Sequence, residues 1–416
     1  MTILFICNEY PPGNNGGIGT ATQNLARQLA KDGHSVLVAG LYPYGYQQKD
    51  FETDQGVKVW RKRYGLDFGL IRNNYSLSDT VLNKVLRFTG MLSRDLHKSL
   101  NRFFTFLSAL IKEHNVDIIE WPDWNHYFQE ANRPINYPQW KIPIVVKLHG
   151  TGTYIAWQTN VSKDEKIYNF EKQHILRANA LIAVSKNLAI NMHRFYRLNK
   201  KIEIIYNSIE TPNLSEIIER ESSTVIFSGS LSENKGLTNL MKAWNLVNRV
   251  FPSAKLLLYG KGNPKPFQEK LDPAAMASVS FKGHVAKTVL MPVLKKASVA
   301  VFPSYIEGFS LSPLEAMGAG CPVIYTKRAS GPELIDNGVN GLLVDPDNQR
   351  EIADNILLLL HDRNLRQQLS QNGRNTVINK FNITLSAKKH IDFYSSVIDA
   401  YNNDLPVLPE VSGKTN

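Results

Sequence analysis

The sequence predicts an α/β protein made of two Rossmann-like domains, each a parallel sheet covered by helices on both faces. Three observations predict it. Short apolar runs alternate with helical stretches along the chain, the pattern of strand-helix-strand units feeding a parallel sheet. The alternation comes in two series, parted by Thr211–Ser223, which holds Pro212, several charges and no buried run. At 416 residues the chain is too long for one core, so two domains are expected.

The elements follow in order. Thr2–Cys7 reads as a buried strand, and Gly13, Gly16, Gly17 and Gly19 as a flexible loop. A helix opens at Thr20 or a neighbour, with Ala21, Leu25 and Leu29 on one face. Gly33 ends it, and Ser35–Ala39 is the next strand. Asp117–Trp121, Ile144–Leu148, Ala180–Val184 and Glu203–Tyr206 read as further strands. The second series is Val225–Ser228, a helix at Leu237–Val250, then Lys255–Tyr259, Ala300–Phe302, Val323–Tyr325 and Leu342–Val344. One more helix is expected at about Thr384–Tyr401, and a loose tail from Leu405. The expected division is a first domain over 1–210 joined by the C-terminal helix at 384–403, a second domain over 211–383, and a tail at 404–416.

Val81–Lys112 is a long amphipathic helix candidate. Lys84, Arg87, Arg94, Lys98 and Arg102 share one face, and Leu86, Leu92, Leu96, Leu100, Phe103 and Leu107 the other. The expected arrangement is a helix packed on the sheet with a solvated basic side. A basic side can also meet anionic lipid headgroups, through a salt-sensitive contact.

Composition narrows the class. Hydrophobic residues are 43% and charged residues 20%, as in an ordinary globular protein. Cys7 and Cys321 are the only cysteines and lack metal-type spacing, which points to a reducing, cytoplasmic setting. No apolar run approaches the roughly 18 residues of a membrane span. Met1–Cys7 lacks the basic start of a signal peptide. The 48 basic and 37 acidic residues leave +11, which suits an anionic partner. Aromatics are not interleaved with a basic patch, so nucleic acid is not expected.

Several residues can carry chemistry. Glu307 and Glu315 flank a Gly-containing loop running into a helix start. Ser312 is the expected N-cap and Pro313 the first helical residue, with Glu315 three residues past the cap. That spacing suits a capping box. It also suits a diphosphate site, because first-turn N–H groups are unpaired and the helix dipole favours anions. Gly16-Gly17-Ile18-Gly19 follows the first strand, where glycines let a ligand approach the backbone. Thr22 stands at the third glycine position of a dinucleotide fingerprint, so a dehydrogenase is disfavoured. Lys235 lies between a strand and a helix, where an ammonium neutralises phosphate. His149 ends the run Ile144–Leu148 at the sheet edge that binds ligands in such folds. His284 and the Asp345-Pro346-Asp347 turn are expected to be structural, and no metal or cofactor is expected.

The assembled pattern resembles the retaining glycosyltransferases of family 4, which have the GT-B fold, two Rossmann-like domains with their sheets facing each other across a cleft. The matching pieces are the Gly16–Gly19 loop, His149-Gly150, Tyr206-Asn207-Ser208, Gly229 through Gly236, Tyr259-Gly260-Lys261-Gly262 and Glu307-x7-Glu315. Gly320-Cys321-Pro322-Val323-Ile324 and the segment Asn337 to Val344 complete it. The second half matches specifically and the first half more loosely.

The resemblance implies roles. Glu315 would bind the donor ribose and Glu307 hydroxyls of the transferred sugar. The N–H groups around Gly308, Phe309, Ser310, Leu311 and Ser312 would receive the donor, with Ser230, Gly260 and Gly19 close by. Lys235 would offset diphosphate charge, His149 would sit beside the sugar, and Gly17 near the diphosphate and acceptor. The last helix would cross back to the first domain. The family commonly has an arginine where this chain has Ser230, so one phosphate cation is missing, and Lys261 is a candidate substitute.

The implied reaction is metal-independent transfer of a hexose from a UDP-, GDP- or ADP-sugar to a glycan or lipid-linked acceptor. No carboxylate suggests itself as a covalent nucleophile, so front-face attack with retention is expected. Two alternatives stay open at this stage. One is a GT-B nucleotide-sugar epimerase. The other is a non-catalytic basic protein that docks on membranes. Donor sugar, acceptor, linkage and oligomeric state are not readable from the residues.

Overall fold

The structure, a computed structural model, describes residues 1–12, 16–42, 46, 48–65, 85–86, 88–211 and 223–403. The chain divides into two compact units. Unit 1 holds Met1–Val184, Leu188–Ile205 and the chain from Ser386 onward; unit 2 holds Ser185–Asn187 and Tyr206–Leu385.

Unit 1 is built on eight strands: β1 (Thr2–Ile6), β2 (Ser35–Tyr42), β3 (Phe51–Asp54), β4 (Val57–Arg63), β5 (Ile118–Pro122), β6 (Ile144–Leu148), β7 (Ala180–Ala183) and β8 (Ile202–Ile204). Their order is β3-β4-β2-β1-β5-β6-β7-β8, and only the β3–β4 pair is antiparallel. The central strands β1, β5, β6 and β7 are nearly continuous buried runs, as strands covered on both faces must be.

The β3–β4 hairpin was not expected, and its residues explain why. β4 alternates buried Val57, Val59 and Arg61 with exposed Lys58 and Lys62, so one inward position is charged. Arg61 is fully buried, donating to Glu52 Oε1 at 2.6 Å and to the carbonyls of Pro11 and Lys49 at 3.0 and 3.1 Å. Gln55 and Gly56 turn the hairpin with φ of 49° and 88°.

Helix α1 (Gly17–Lys31) starts earlier than expected, so Gly17 and Gly19 form its first turn rather than a loop. Gly13 lies outside the described residues. α2 (Met91–His114) covers most of the amphipathic segment, whose earlier part lies largely outside the described residues. Leu92, Leu96, Leu100, Phe103 and Leu107 are buried, while Arg94, Lys98 and Arg102 are exposed. Five such side chains represent roughly 10 kcal/mol of gross burial, far above what solvated charges contribute, so the apolar face fixes the helix. α3 (Gly152–Gln158), α4 (Glu165–Leu176) and α5 (Lys186–Tyr196) follow.

Unit 2 has six parallel strands, β9 (Thr224–Ser228), β10 (Lys255–Tyr259), β11 (Val279–Gly283), β12 (Val299–Phe302), β13 (Val323–Thr326) and β14 (Leu342–Val344). Their order is β11-β10-β9-β12-β13-β14. β11, a half-exposed edge strand, gave no apolar run to read. The longer helices are α6 (Leu237–Val250), α7 (Lys287–Lys296), α8 (Leu311–Gly318), α9 (Gln349–His361) and α10 (Arg363–Lys380). In both sheets the order reverses beside the first strand of the unit, between β1 and β5 and between β9 and β12. Such switch points open a crevice at the carboxyl ends of the strands.

The last helix, α11 (Ile383–Asn402), belongs to unit 1 from Ser386 onward. His390 Nε2 lies 3.0 Å from Lys147 Nζ on β6, and the Tyr394 hydroxyl donates to Glu120 on β5. Lys147 and Glu120 are 3.7 Å apart, and all four residues are buried. Charges in that environment persist only when partnered, so α11 satisfies groups that the strands bury.

Candidate active site

In unit 2 the turns after β9, β10 and β12 meet at the switch-point edge. Gly229 N–H donates to Tyr259 O at 2.9 Å, Leu231 N–H to Lys261 O at 2.7 Å, and Tyr305 N–H to Asn234 O at 2.8 Å. Two glycines permit this closeness. A Cβ on Gly260, whose φ is 154°, would stand 1.7 Å from Gly229 O; one on Gly236 would stand 1.9 Å from Pro303 O. No other residue fits at such contacts.

The stitched turns bring Lys235 to Glu307. Its ammonium donates to Glu307 Oε1 at 2.6 Å, with the two side chains 25% and 10% exposed. A partly buried charge-assisted bond of this length is worth more than a surface pair. The Glu307 loop is fixed beyond that point. Asn207 Nδ2 donates to Phe309 O at 2.9 Å, and the Phe309 ring packs against Tyr206 and Phe381 at 4.9 and 5.3 Å. Glu315 is buried on α8, with Oε1 3.0 Å from Lys287 Nζ.

The expected cap at Ser312 is corrected. Ser310 is the N-cap, with φ −75° and ψ 137°, and its side chain makes no capping bond. Ser312 and Pro313 lie inside the first turn, where proline is tolerated because those N–H groups have no partner in the helix. Glu315 therefore takes no part in a capping box, and its carboxylate turns to Lys287. Ser230 is exposed, with Oγ 3.4 Å from Ser232 Oγ. Lys261 stands close enough to His284 for its charge, with burial, to lower the imidazole pKa.

Unit 1 holds Gly17, Gly19 and His149. Gly19 N–H donates to Glu9 Oε1 at 2.9 Å, and a Cβ there would stand 1.9 Å from Glu9 O. Gly17 is exposed, with no atom within 4 Å of a Cβ. His149 opens the turn after β6, held by Asp123 at the end of β5. The His149 and Gly150 N–H groups donate to the two Asp123 oxygens at 2.9 and 3.0 Å. Burial and the Lys147 ammonium hold the His149 pKa well below the usual imidazole value. Burial pushes the Asp123 carboxyl up to about 7, against the two amides that lower it. Glu171 on α4 anchors the rest of this turn, accepting from Gly152 N–H at 3.0 Å and from the Tyr196 hydroxyl at 2.8 Å.

Lys287, Asp123 and Glu171 were not singled out by the sequence. Lys287 opens the helix after the unread strand β11, so it had no address. Asp123 follows directly on a strand end, which was a usable signal. Asp345 and Asp347 are tied to Arg328, with Lys327 also 3.4 Å from Asp345. Among the described residues no group of three or more His, Cys, Asp or Glu is placed to hold a metal ion.

Comparison with known proteins agrees along the chain. Residues 15–212 match the family model described as Glycosyltransferase Family 4, and residues 213–376 match Glycosyl transferases group 1. An uncharacterized glycosyltransferase of Methanocaldococcus jannaschii is 26% identical, over 96% of this chain and 99% of that protein. The sucrose-phosphate synthase of Thermosynechococcus elongatus superposes with TM-score 0.72 at 19% identity, covering 96% of this chain and 99% of that one. A TarM variant of S. aureus, solved with fondaparinux, α-GlcNAc-glycerol and UDP, has TM-score 0.72 at 15% identity, covering 95% and 100%. The two family models run without a gap from residue 15 to residue 376, and the chain belongs to glycosyltransferase family 4 and has the GT-B fold.

Proposed function

We propose that this glycosyltransferase moves a hexose from a nucleotide-diphosphate sugar to a glycan or lipid-linked acceptor, with retention and without a divalent metal. The observation that carries the reading is the Lys235–Glu307 pair at the carboxyl edge of β9 and β12. Glu315 takes the ribose hydroxyls, and Glu307 hydroxyls of the transferred sugar. The loop Gly308–Ser310 and the first residues of α8, Leu311 and Ser312, receive the donor phosphates, with Lys235 offsetting their charge as the bond to the sugar breaks. Gly260 and Ser230 shape the floor of that subsite. His149, neutral at pH 7, acts as a hydrogen-bonding group beside the sugar, and Gly17 leaves room for a ligand at α1. The departing phosphate takes the acceptor proton on the face where the acceptor attacks.

The UDP in the TarM structure supports a nucleotide donor, and its sugar ligands support a glycan acceptor. The exposed Arg94, Lys98 and Arg102 support a salt-sensitive contact with anionic lipid. Among the described residues no helix is long and apolar enough to cross a membrane.

Thermal melting with UDP-, GDP- and ADP-sugars in EDTA tests the reading. A donor at 100 times its Kd adds about 2.7 kcal/mol, or roughly 5–10 °C. No stabilisation by any of the three, or stabilisation only after metal is added, overturns it.

A further inference from the structure

Glu315 is a carboxylate taken largely out of water with little to hold it. Among the described residues its only ion pair is with Lys287, whose Nζ lies 3.0 Å from Oε1. An ionised carboxylate has two oxygens and about four acceptor positions, so one ammonium leaves room for ligand donors. The Glu315 side chain is 12% exposed. Neither of its oxygens is among the enclosed polar atoms that lack a partner, so a ligand hydroxyl can reach it.

Lys287 stands where helix energetics do not want it. It is the first residue of α7, after the N-cap Ala286, which makes no side-chain capping bond, and the first turn holds no acidic residue. A cation there opposes the helix dipole. Breaking a local rule of this kind is a mark of functional sites. The side chain is 46% exposed, and its ammonium has three N–H donors, of which Glu315 draws one. Its flexible four-carbon stem lets it shift as a ligand enters.

The two groups together specify a chemistry. A carboxylate only accepts and an ammonium only donates, whereas a hydroxyl does both. A phosphate or carbonyl oxygen can use only Lys287, and an N–H group only Glu315. A pair of hydroxyls on adjacent carbons uses both, and ribose carries such a pair. Taking Glu315 as the ribose ligand of the donor reading above, we propose that Lys287 is a specificity-determining residue for the donor nucleotide. The 2′- and 3′-hydroxyls donate to Glu315 and accept from Lys287, so the site selects nucleotides that keep the diol.

Calorimetric titration of the full chain tests this. Wild type and Lys287→Met are titrated with UDP, GDP and ADP, then with the 2′,3′-dideoxy form of whichever binds. Methionine keeps the stem and removes the charge, and melting without nucleotide checks the fold. Wild type should prefer the diol form about 100-fold, one factor of about ten for each charged partner. Lys287→Met should weaken the diol form about tenfold and leave the dideoxy form unchanged. Lys287→Arg keeps charge and donors and should retain the preference. An equal fall for both forms in Lys287→Met means that the lysine acts on the phosphates, and overturns the proposal. Unchanged or tighter binding of the diol form means that it only screens Glu315 or competes for it, and overturns the proposal too. In those outcomes the donor reading stands; if none of the three nucleotides binds wild type, both fall.

Discussion

Replacing Lys235 by alanine should separate catalysis from folding. The Lys235 ammonium is 2.6 Å from Glu307 Oε1, with exposures of 25% and 10%. A charge-assisted bond to a developing diphosphate is worth about 1.5–3 kcal/mol, and loss of a preorganised donor at a reacting centre costs ~10²–10³ in kcat. The expected loss in kcat for Lys235→Ala is about 10²-fold. The variant also leaves Glu307 with less compensation in a largely buried place. A fully buried pair broken on one side costs about 3–5 kcal/mol; with this exposure about 1–2 kcal/mol is expected, a fall of roughly 2–8 °C in Tm. Glu307→Ala should lower kcat similarly, and the double variant should be less than additive, because both act on one bound donor. The assay is transfer from the stabilising nucleotide sugar, with calorimetry on each variant. Wild-type kcat in both single variants would refute the reasoning. A double variant whose losses simply add would show that the two side chains act independently.

The remaining predictions concern the two glycine-rich turns, a buried carboxyl and a missing cation. Gly260→Ala places a Cβ 1.7 Å from Gly229 O at φ 154°, and should lower stability by at least about 2 kcal/mol, read by calorimetry. Gly17→Ala meets no atom within 4 Å, so its fold should be intact, and a drop in activity would report a ligand contact. Asp123 has a folded pKa of about 7, above an unfolded value of about 3.9. The folded state therefore binds the extra proton between those values, and stability falls as pH rises from about 4 to 7. Asp123→Asn should flatten that slope in melts run across the range. Ser230→Arg should tighten donor binding about tenfold by restoring a phosphate cation, measured by calorimetric titration.

The legible parts of the fold were those written in apolar runs. The strands at Ile144–Leu148 and Lys255–Tyr259 and the helix Leu237–Val250 were read at the bounds the structure gives. These elements are buried on both faces or carry a wide apolar stripe, so their burial is visible in local composition. The hairpin β3–β4 hid because Arg61 points inward, and its two terminal guanidinium nitrogens donate to Pro11, Lys49 and Glu52, which are scattered along the sequence. The helix α10, Arg363–Lys380, is polar on most of its surface and buries only Leu369, Gly373 and Val377. Glu307, Glu315 and Lys235 were visible as residue types at strand-to-helix turns. Their partners were not: Lys287 is 28 positions from Glu315 and Lys235 is 72 from Glu307.

By itself the sequence determined the two α/β series, the carboxyl-edge turns and the residue types at them, because periodicity and turn chemistry are local properties. Only the tertiary structure decided which charge meets which. Strand order brings the β9 and β12 turns side by side, fixing Lys235 against Glu307. It also moved the α8 cap to Ser310 and turned Glu315 towards Lys287. The same holds for His149, whose neutral imidazole follows from burial and from Lys147. Desolvation and Coulomb energy depend on distance in space, which spacing along the chain does not encode.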